Sequence, residues 1–342
     1  MNPFGWAVIG PGKIARRFAA AVQGLEATTG SRLQAVYARD LGKAHAFAQE
    51  WHPAVGPEPR ATDDASALLA DPRVDGVYIA TPHAQHGEFI RAALLAGKPV
   101  LCEKPLVPTQ QEAEALVALA RERGVFLMEA VWTRFLPIYA VVARWLQEQS
   151  IGELRGIQSS FCFPAPYDPN NRCFNPDLAG GALLDIGIYN ITVSRWVLEQ
   201  ALGACPAVES IVASGKLAPT GVDTRVNATL NFPGALAAHF ICAFDASSEN
   251  ALHIMGSKGR IVLPLNFHQA SEAVLIRHGE PAEHVEAPHR INGFEGEIEE
   301  AQRRIRAGAI ESPHISHAET LTTLAWMDEI RRQLGVRYPF ER

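Results

Sequence analysis

No stretch of this chain approaches the ~18 consecutive apolar residues that carry a helix across a bilayer. No basic-then-apolar leader precedes its first apolar run, so the expectation is a cytoplasmic protein that stays where it is made. Cysteine is sparse: Cys102, Cys162, Cys173, Cys205 and Cys242 are scattered, odd in number and without a C-x-x-C pair. They offer neither a disulfide framework nor a thiolate metal site, and reduced thiols are expected. Basic excess is missing too. A formal net charge of -6 leaves no electrostatic footprint for nucleic acid. There is no internal repeat, low-complexity tract or heptad run. What remains is a globular composition, 47% hydrophobic and 20% charged over 342 residues, enough for two domains with a sizeable core.

The most informative stretch comes almost at once. An apolar run fit for a buried strand stops at Gly10, and Gly10-x-Gly12-x-x-Ala15 then leads into an amphipathic helix. Small residues at this spacing serve a tight turn, a close approach of backbone to pyrophosphate, and a helix–strand contact. The helix N-terminus, with Lys13 and Ile14, would face the phosphates. Glycines so spaced also close ordinary turns, so the context of strand and helix carries the reading.

Further strands are expected at 33–37, 75–82, 100–102 and 125–128, separated by helices near 41–51, 85–95 and 110–123. That alternation predicts a doubly wound parallel sheet, a Rossmann domain over residues 1–130. Gly10, Ala38, Thr81, Glu103 and Lys104 all fall at strand C-terminal ends, where such sheets bind ligands. From residue 131 the pattern changes. A long helix at 182–200, alternating runs at 154–163, 210–217, 224–232, 236–244, 251–255 and 260–263, and closing helices at 294–307 and 316–334 predict an α+β domain. Its open, mostly antiparallel sheet would occupy residues 131–342, with 164–176 and 269–292 as loops.

Ala38-Arg39-Asp40 bears on the cofactor. An acidic residue ending the second strand would hold a ribose 2′-hydroxyl, whereas a small residue followed by Arg suits a 2′-phosphate. Ala38 and Arg39 therefore favour NADP over NAD; alternatively Arg39 is a solvated charge and Asp40 only caps the next helix. His83 and His86 lack a third ligand for a metal and read better as neutral side chains near a cofactor ribose. His314 and His317 have helical spacing but suit capping and surface roles, and no metal is expected.

Several stretches together carry a resemblance: Gly10-Pro11-Gly12-Lys13-Ile14-Ala15, Ala80-Thr81-Pro82, Glu103-Lys104-Pro105, Met128 to Phe135 and Gly180 to Tyr189. The chain resembles the Gfo/Idh/MocA oxidoreductases through nearly its whole length, and within them the branch that oxidises trans-dihydrodiols and D-xylose. The resemblance implies hydride transfer between NADP and a sugar or polyol-like substrate, such as an aldose converted to its lactone. The trans-dihydrodiols, dicarbonyls and anhydroketoses are alternative substrates. It also implies roles. Tyr189 is the proton acceptor, Lys104 its assistant and Asp185 the orienting group. Gly10, Gly12, Lys13, Ile14, Ala38, Arg39, Thr81, His86, Glu103 and Lys104 would contact the cofactor, and Trp132, Arg134, Arg172 and Asp185 the substrate. A homodimer through the C-terminal sheet is implied as well.

Each role has a plainer counterpart. Lys104 could be a surface lysine, Tyr189 a satisfied core tyrosine, Asp185 an answer to a helix dipole, and Trp132 with Arg134 a packing pair. Thr81-Pro82-His83 departs from the family's usual Thr-Pro-Asn, which puts a borrowed role for that third side chain in doubt. A different class also stays open, a dinucleotide-binding redox sensor without turnover. Lys104 and Tyr189, which a sensor has no need to keep, favour the enzyme.

Overall fold

Phe4–Ile9 (β1) carries apolar side chains on both faces and is buried along its length, as a central strand of a parallel sheet must be. The computed structural model describes residues 3–53 and 56–341. After β1 come α1 (Lys13–Gly24), α2 (Glu26–Thr29), β2 (Ser31–Tyr37), α3 (Leu41–Glu50), β3 (Arg60–Thr62), α4 (Ala65–Leu69) and β4 (Gly76–Ile79). A 3-10 turn, His83–Gln85, leads into α5 (His86–Leu95), β5 (Val100–Glu103), α6 (Gln110–Arg123) and β6 (Leu127–Ala130). The six strands are parallel, in the order β3-β2-β1-β4-β5-β6. This is the doubly wound sheet expected.

The last strand starts two residues later than the apolar run suggested. Gly124 ends α6 in the left-handed region, φ 63°, and the Val125 amide bonds back to the Ala120 carbonyl at 3.0 Å. Val125 thus closes the helix, the Phe126 carbonyl already accepts the Val100 amide of β5 at 2.9 Å, and Glu129 moves into the sheet.

The second sheet is built from β7 (Leu154–Cys162), β8 (Ser210–Leu217), β9 (Asp223–Phe232), β10 (Leu236–Ala243), β11 (Leu252–Gly256), β12 (Gly259–Leu263), β13 (Glu272–Arg277) and β14 (Glu283–Glu286). Its order is β14-β13-β12-β11-β7-β10-β9-β8, antiparallel except where β10 runs parallel to β7. Helices α7 (Pro137–Gln147) and α8 (Ile188–Leu202) lie before and after the long loop that follows β7. Along β9, Val226, Ala228, Leu230 and Phe232 are buried while Asn227, Thr229 and Asn231 alternate outward. The strands β13 and β14 occupy much of what the sequence left as a loop.

One further correction concerns a helix. The expected helix over 182–200 begins as a π-turn, Leu183–Gly187, before α8 proper. Asp223 on β9 takes the Leu183 amide at 2.7 Å at the start of this turn, and Gly187 admits the Cys242 sulfur, which a Cβ would meet at 2.9 Å. Helices α9 (Glu295–Arg306) and α10 (His317–Leu334) close the chain. The chain forms two compact units that differ from a single cut after residue 130. The first runs through Trp132 and adds Arg290–Thr322; the second holds Thr133–His289 and the residues from Thr323 on. Gln302 on α9 accepts from the Ser31 hydroxyl at 2.6 Å and donates to the Thr29 carbonyl at 2.9 Å, while Ile310 accepts the Leu127 amide at 3.0 Å. These bonds return residues 290–322 to the first sheet.

Candidate active site

The glycine turn has the shape a dinucleotide needs. Gly10 sits at φ +91°, and a Cβ there would lie 2.9 Å from the Ala80 carbonyl carbon, so only glycine fits. Gly12 instead has nothing within 4 Å of where a Cβ would stand, which leaves its backbone open to approach. It is the N-cap of α1 and supplies no side-chain cap, and no acidic residue stands in the first turn. The first amides of that helix, those of Lys13 and Ile14, are therefore offered to an external anion. Thr81, at the end of β4, has a buried hydroxyl without a hydrogen-bond partner. These features fit a nicotinamide dinucleotide.

Asp40 accepts the Gly42 and Lys43 amides at 2.9 and 3.3 Å, so its carboxylate is committed to capping α3. Arg39 is exposed beside buried Ala38. This is the arrangement that leaves a cation and no competing acid at the end of β2.

Lys104 follows β5 and is only 9% exposed, and the Lys104–Pro105 peptide is cis. The turn is held from several sides. His86, which the sequence reading placed at a cofactor ribose, points inward: its Nδ1 lies 2.9 Å from the Pro105 carbonyl and its Nε2 2.8 Å from that of Thr81. Both nitrogens are spent on backbone, so the ring clamps β4 to the Lys104 turn. Burial pushes the imidazole pKa down, and the two carbonyls oppose that by favouring a proton on each nitrogen. Glu103 is equally inward-facing, accepting the Tyr78 hydroxyl. Burial raises the Tyr78 pKa well above its ordinary value, and the Glu103 charge adds to it. Trp132 lies 5.1 Å from Phe294, with the Arg17 guanidinium 4.5 Å over its ring. Arg17 also donates to the Asn292 carbonyl at 2.8 Å.

The second unit brings together Asp185, Arg172 and Tyr189. Asp185 stands in the π-turn, where Gly181 accepts its amide at 3.2 Å, and Tyr189 follows in the first turn of α8. Arg172 pairs with Asp185 at 3.0 Å; its side chain is 55% exposed, that of Asp185 only 8%. The Tyr189 ring lies 5.7 Å from Phe161 and 5.6 Å from His268, and His268 stacks on Phe161 at 4.0 Å. His268 and Phe161 escaped the sequence reading, since a lone histidine in a loop carries no signal. The turn that presents His268 is fastened by its backbone: the Thr133 hydroxyl donates to the His268 carbonyl at 2.6 Å and the Tyr139 hydroxyl to that of Phe267 at 3.0 Å. Asp223, which takes the first amide of the π-turn, has its pKa raised to about 6 by burial, against the pull of the Leu183 amide. Arg134 turns toward Glu199 at 3.9 Å, with Trp196 6.0 Å away.

His317 is buried with Nε2 3.0 Å from the Leu127 carbonyl, a packing role. No helix among the described residues is long and apolar enough to cross a membrane. Among them no three His, Cys, Asp or Glu side chains group so as to hold a metal.

Comparison with known proteins completes the picture. Residues 4–131 match an oxidoreductase family with an NAD-binding Rossmann fold, and residues 139–262 match the GFO/IDH/MocA C-terminal domain. The chain is 37% identical to trans-1,2-dihydrobenzene-1,2-diol dehydrogenase of Danio rerio, over 97% of each chain. It is 33% identical to the Homo sapiens enzyme of that name, over 98% of each. Among solved structures it is similar to a 3-ketoreductase from Actinomadura kijaniata in complex with NADP and TDP-benzene. That match has a TM-score of 0.82 at 29% identity and covers 97% of this chain and 98% of that one. Aldose-aldose oxidoreductase from Caulobacter crescentus shares the fold, with a TM-score of 0.83 at 24% identity over 97% of both chains. With both sheets, the glycine turn and full-length relatives in agreement, the chain belongs to the Gfo/Idh/MocA family of NAD(P)-binding oxidoreductases.

Proposed function

We propose that this enzyme transfers hydride between NADP and a sugar or polyol-like substrate, oxidising an aldopyranose such as D-xylose at its anomeric carbon to the lactone. Tyr189, as its phenolate, takes the proton of the substrate hydroxyl, Lys104 orients that hydroxyl and supports the negative charge shared between the two oxygens, and Asp185 positions the ring through its other hydroxyls. The nicotinamide, when bound, supplies the hydride acceptor. Gly10, Gly12, Lys13 and Ile14 hold its pyrophosphate, and Arg39 its 2′-phosphate.

The observation that carries the sugar reading is the surface around Tyr189. One wall is aromatic, Phe161 with the His268 ring on it, and Asp185, four residues before Tyr189 in the chain, is paired with Arg172. An apolar ring face edged by ionic hydrogen-bonding groups suits a ring that is itself apolar on its face and hydroxylated at its rim. A second reading, oxidation of a trans-dihydrodiol, is favoured by the name shared by the 33–37% identical relatives. Initial rates of NADPH formation over aldoses, polyols and trans-dihydrodiols, with NADP and with NAD, decide between them. One class should turn over with NADP preferred, and Tyr189→Phe should lose about 100-fold or more in kcat, the scale of a general base, with NADP binding unchanged. Binding of NADP without turnover of any substrate would instead favour a redox sensor.

The outward face of the second sheet supports a homodimer. Val212 is 62% exposed and Met255 36%, and Ile241 stands among Asn227, Thr229 and His239. Light scattering should give twice the 37.2 kDa of one chain, and a mass of 37.2 kDa would rule the dimer out.

A further inference from the structure

Glu129 belongs to none of the roles above. It stands on β6 beside Cys102 of β5 and is 2% exposed, yet both of its oxygens are engaged. Oε1 accepts the Leu106 amide at 2.7 Å and Oε2 accepts the Thr320 hydroxyl at 3.0 Å. Leu106 lies two residues beyond Lys104, across the cis peptide, and Thr320 sits in the first turns of α10, 191 residues from Glu129 in sequence. A strand position chosen for packing alone would carry an apolar side chain, because a buried carboxylate costs several kcal/mol of desolvation that only good partners offset. The expense makes sense where the carboxylate has a task.

We infer that Glu129 is a positioning residue of the active site, a strut that ties the Leu106 amide to helix α10 and thereby fixes the direction in which Lys104 leaves its turn. The inference rests on the role proposed for Lys104. Four side chains face the carboxyl: Lys104 on the turn, Glu319 and Thr320 on α10, and the Cys102 thiol on β5. Burial pushes the Glu129 carboxyl up to about 7, the Leu106 and Thr320 hydrogen bonds pull it down, Glu319 adds to the rise and Lys104 opposes it. The strut is therefore an anion above neutrality, when its charge also lies against the Lys104 cation.

Three variants separate the strut from the charge. Glu129→Leu keeps the volume and removes both hydrogen bonds. Thr320→Val removes only the far anchor. Glu129→Gln keeps an oxygen for the Leu106 amide and removes the charge. Glu129→Leu should lose about 100-fold in kcat with NADP affinity unchanged, the scale of a misplacement near 1 Å. Thr320→Val should lose less, about 10-fold, as a strut freed at one end. Wild-type kcat should rise across pH 7, and Glu129→Gln should stay flat at the wild type's acidic plateau. If Leu and Val variants that fold keep wild-type kcat, the carboxylate merely fills space and the inference is wrong. A wild type that turns nothing over sinks the hydride-transfer reading alone. Hydrogen exchange at the Leu106 amide still reads the strut: protection should fall in both the Leu and the Val variants, and unchanged protection overturns it.

Discussion

The two units hold their working groups by different means. In the first, the turn that follows Lys104 is held through its backbone: His86 clamps the Pro105 carbonyl and Glu129 the Leu106 amide, all buried at the end of β5. In the second, Asp185 meets Arg172 side chain to side chain, with the arginine 55% exposed on a surface loop. Buried backbone bonds are strong and leave one geometry, whereas an ion pair reaching water is worth little and exchanges readily for another partner. Under the proposed roles, the first unit presents Lys104, which orients the substrate hydroxyl, from a turn held rigidly through its backbone. Under the same proposal, the second presents a polar pair that a substrate's hydroxyls can displace.

The rigidity of the first unit has a cost that a pH series exposes. Glu297 on α9 is fully buried, and neither of its oxygens has a hydrogen-bond partner. Burial raises its pKa well above the ordinary value, the Glu103 charge adds to the rise, and Arg17 opposes it. A carboxyl whose pKa is raised in the folded state contributes stability below its unfolded value near 4.5, and that contribution drains away as pH rises toward the folded value. Glu297→Gln, which cannot ionise, should therefore melt higher than wild type at pH 8 and lose that margin as pH falls to 4.5. The second unit's buried acid is the control. Asp223 keeps the Leu183 amide as a partner and reaches only about 6, so Asp223→Asn should gain less at pH 8. Equal gains, or a Glu297→Gln margin independent of pH, would erase the contrast.

Legibility in the sequence follows the range of the interactions. The parallel strands and the turn at Gly10 and Gly12 were readable because spacing and apolar runs are local, as was Asp40 capping α3. The π-turn was not: the Asp223 carboxylate that takes its first amide lies 40 residues from Leu183. The return of residues 290–322 to the first unit depends on Gln302 reaching Thr29, 273 residues away. The strand β13 could have been found, since Glu272–Arg277 alternates at its start, but β14 is a four-residue polar edge. Glu129 and His86 illustrate the site itself. From sequence His86 is expected near a cofactor ribose and Glu129 carries no signal of its own; tertiary contacts put the His86 nitrogens on two backbone carbonyls and the Glu129 oxygens on the Leu106 amide and the Thr320 hydroxyl. Tyr189, Asp185 and Lys104 stood out through family motifs, while His268 did not.

The smallest effect should come from the loose half of the comparison. Arg172→Ala removes a half-exposed partner of Asp185, and surface pairs of this kind contribute ~0–1 kcal/mol, so stability should barely move. If the pair opens for substrate, Asp185 in the variant no longer has an arginine to release, but the substrate loses a charged hydrogen-bond donor. The two changes oppose each other. The net expectation is a KM for the substrate raised roughly threefold to tenfold, about 1 kcal/mol, with kcat unchanged. A fall in kcat comparable to that of Glu129→Leu would show that Arg172 acts in the transition state, and that the second unit is as tightly organised around its chemistry as the first.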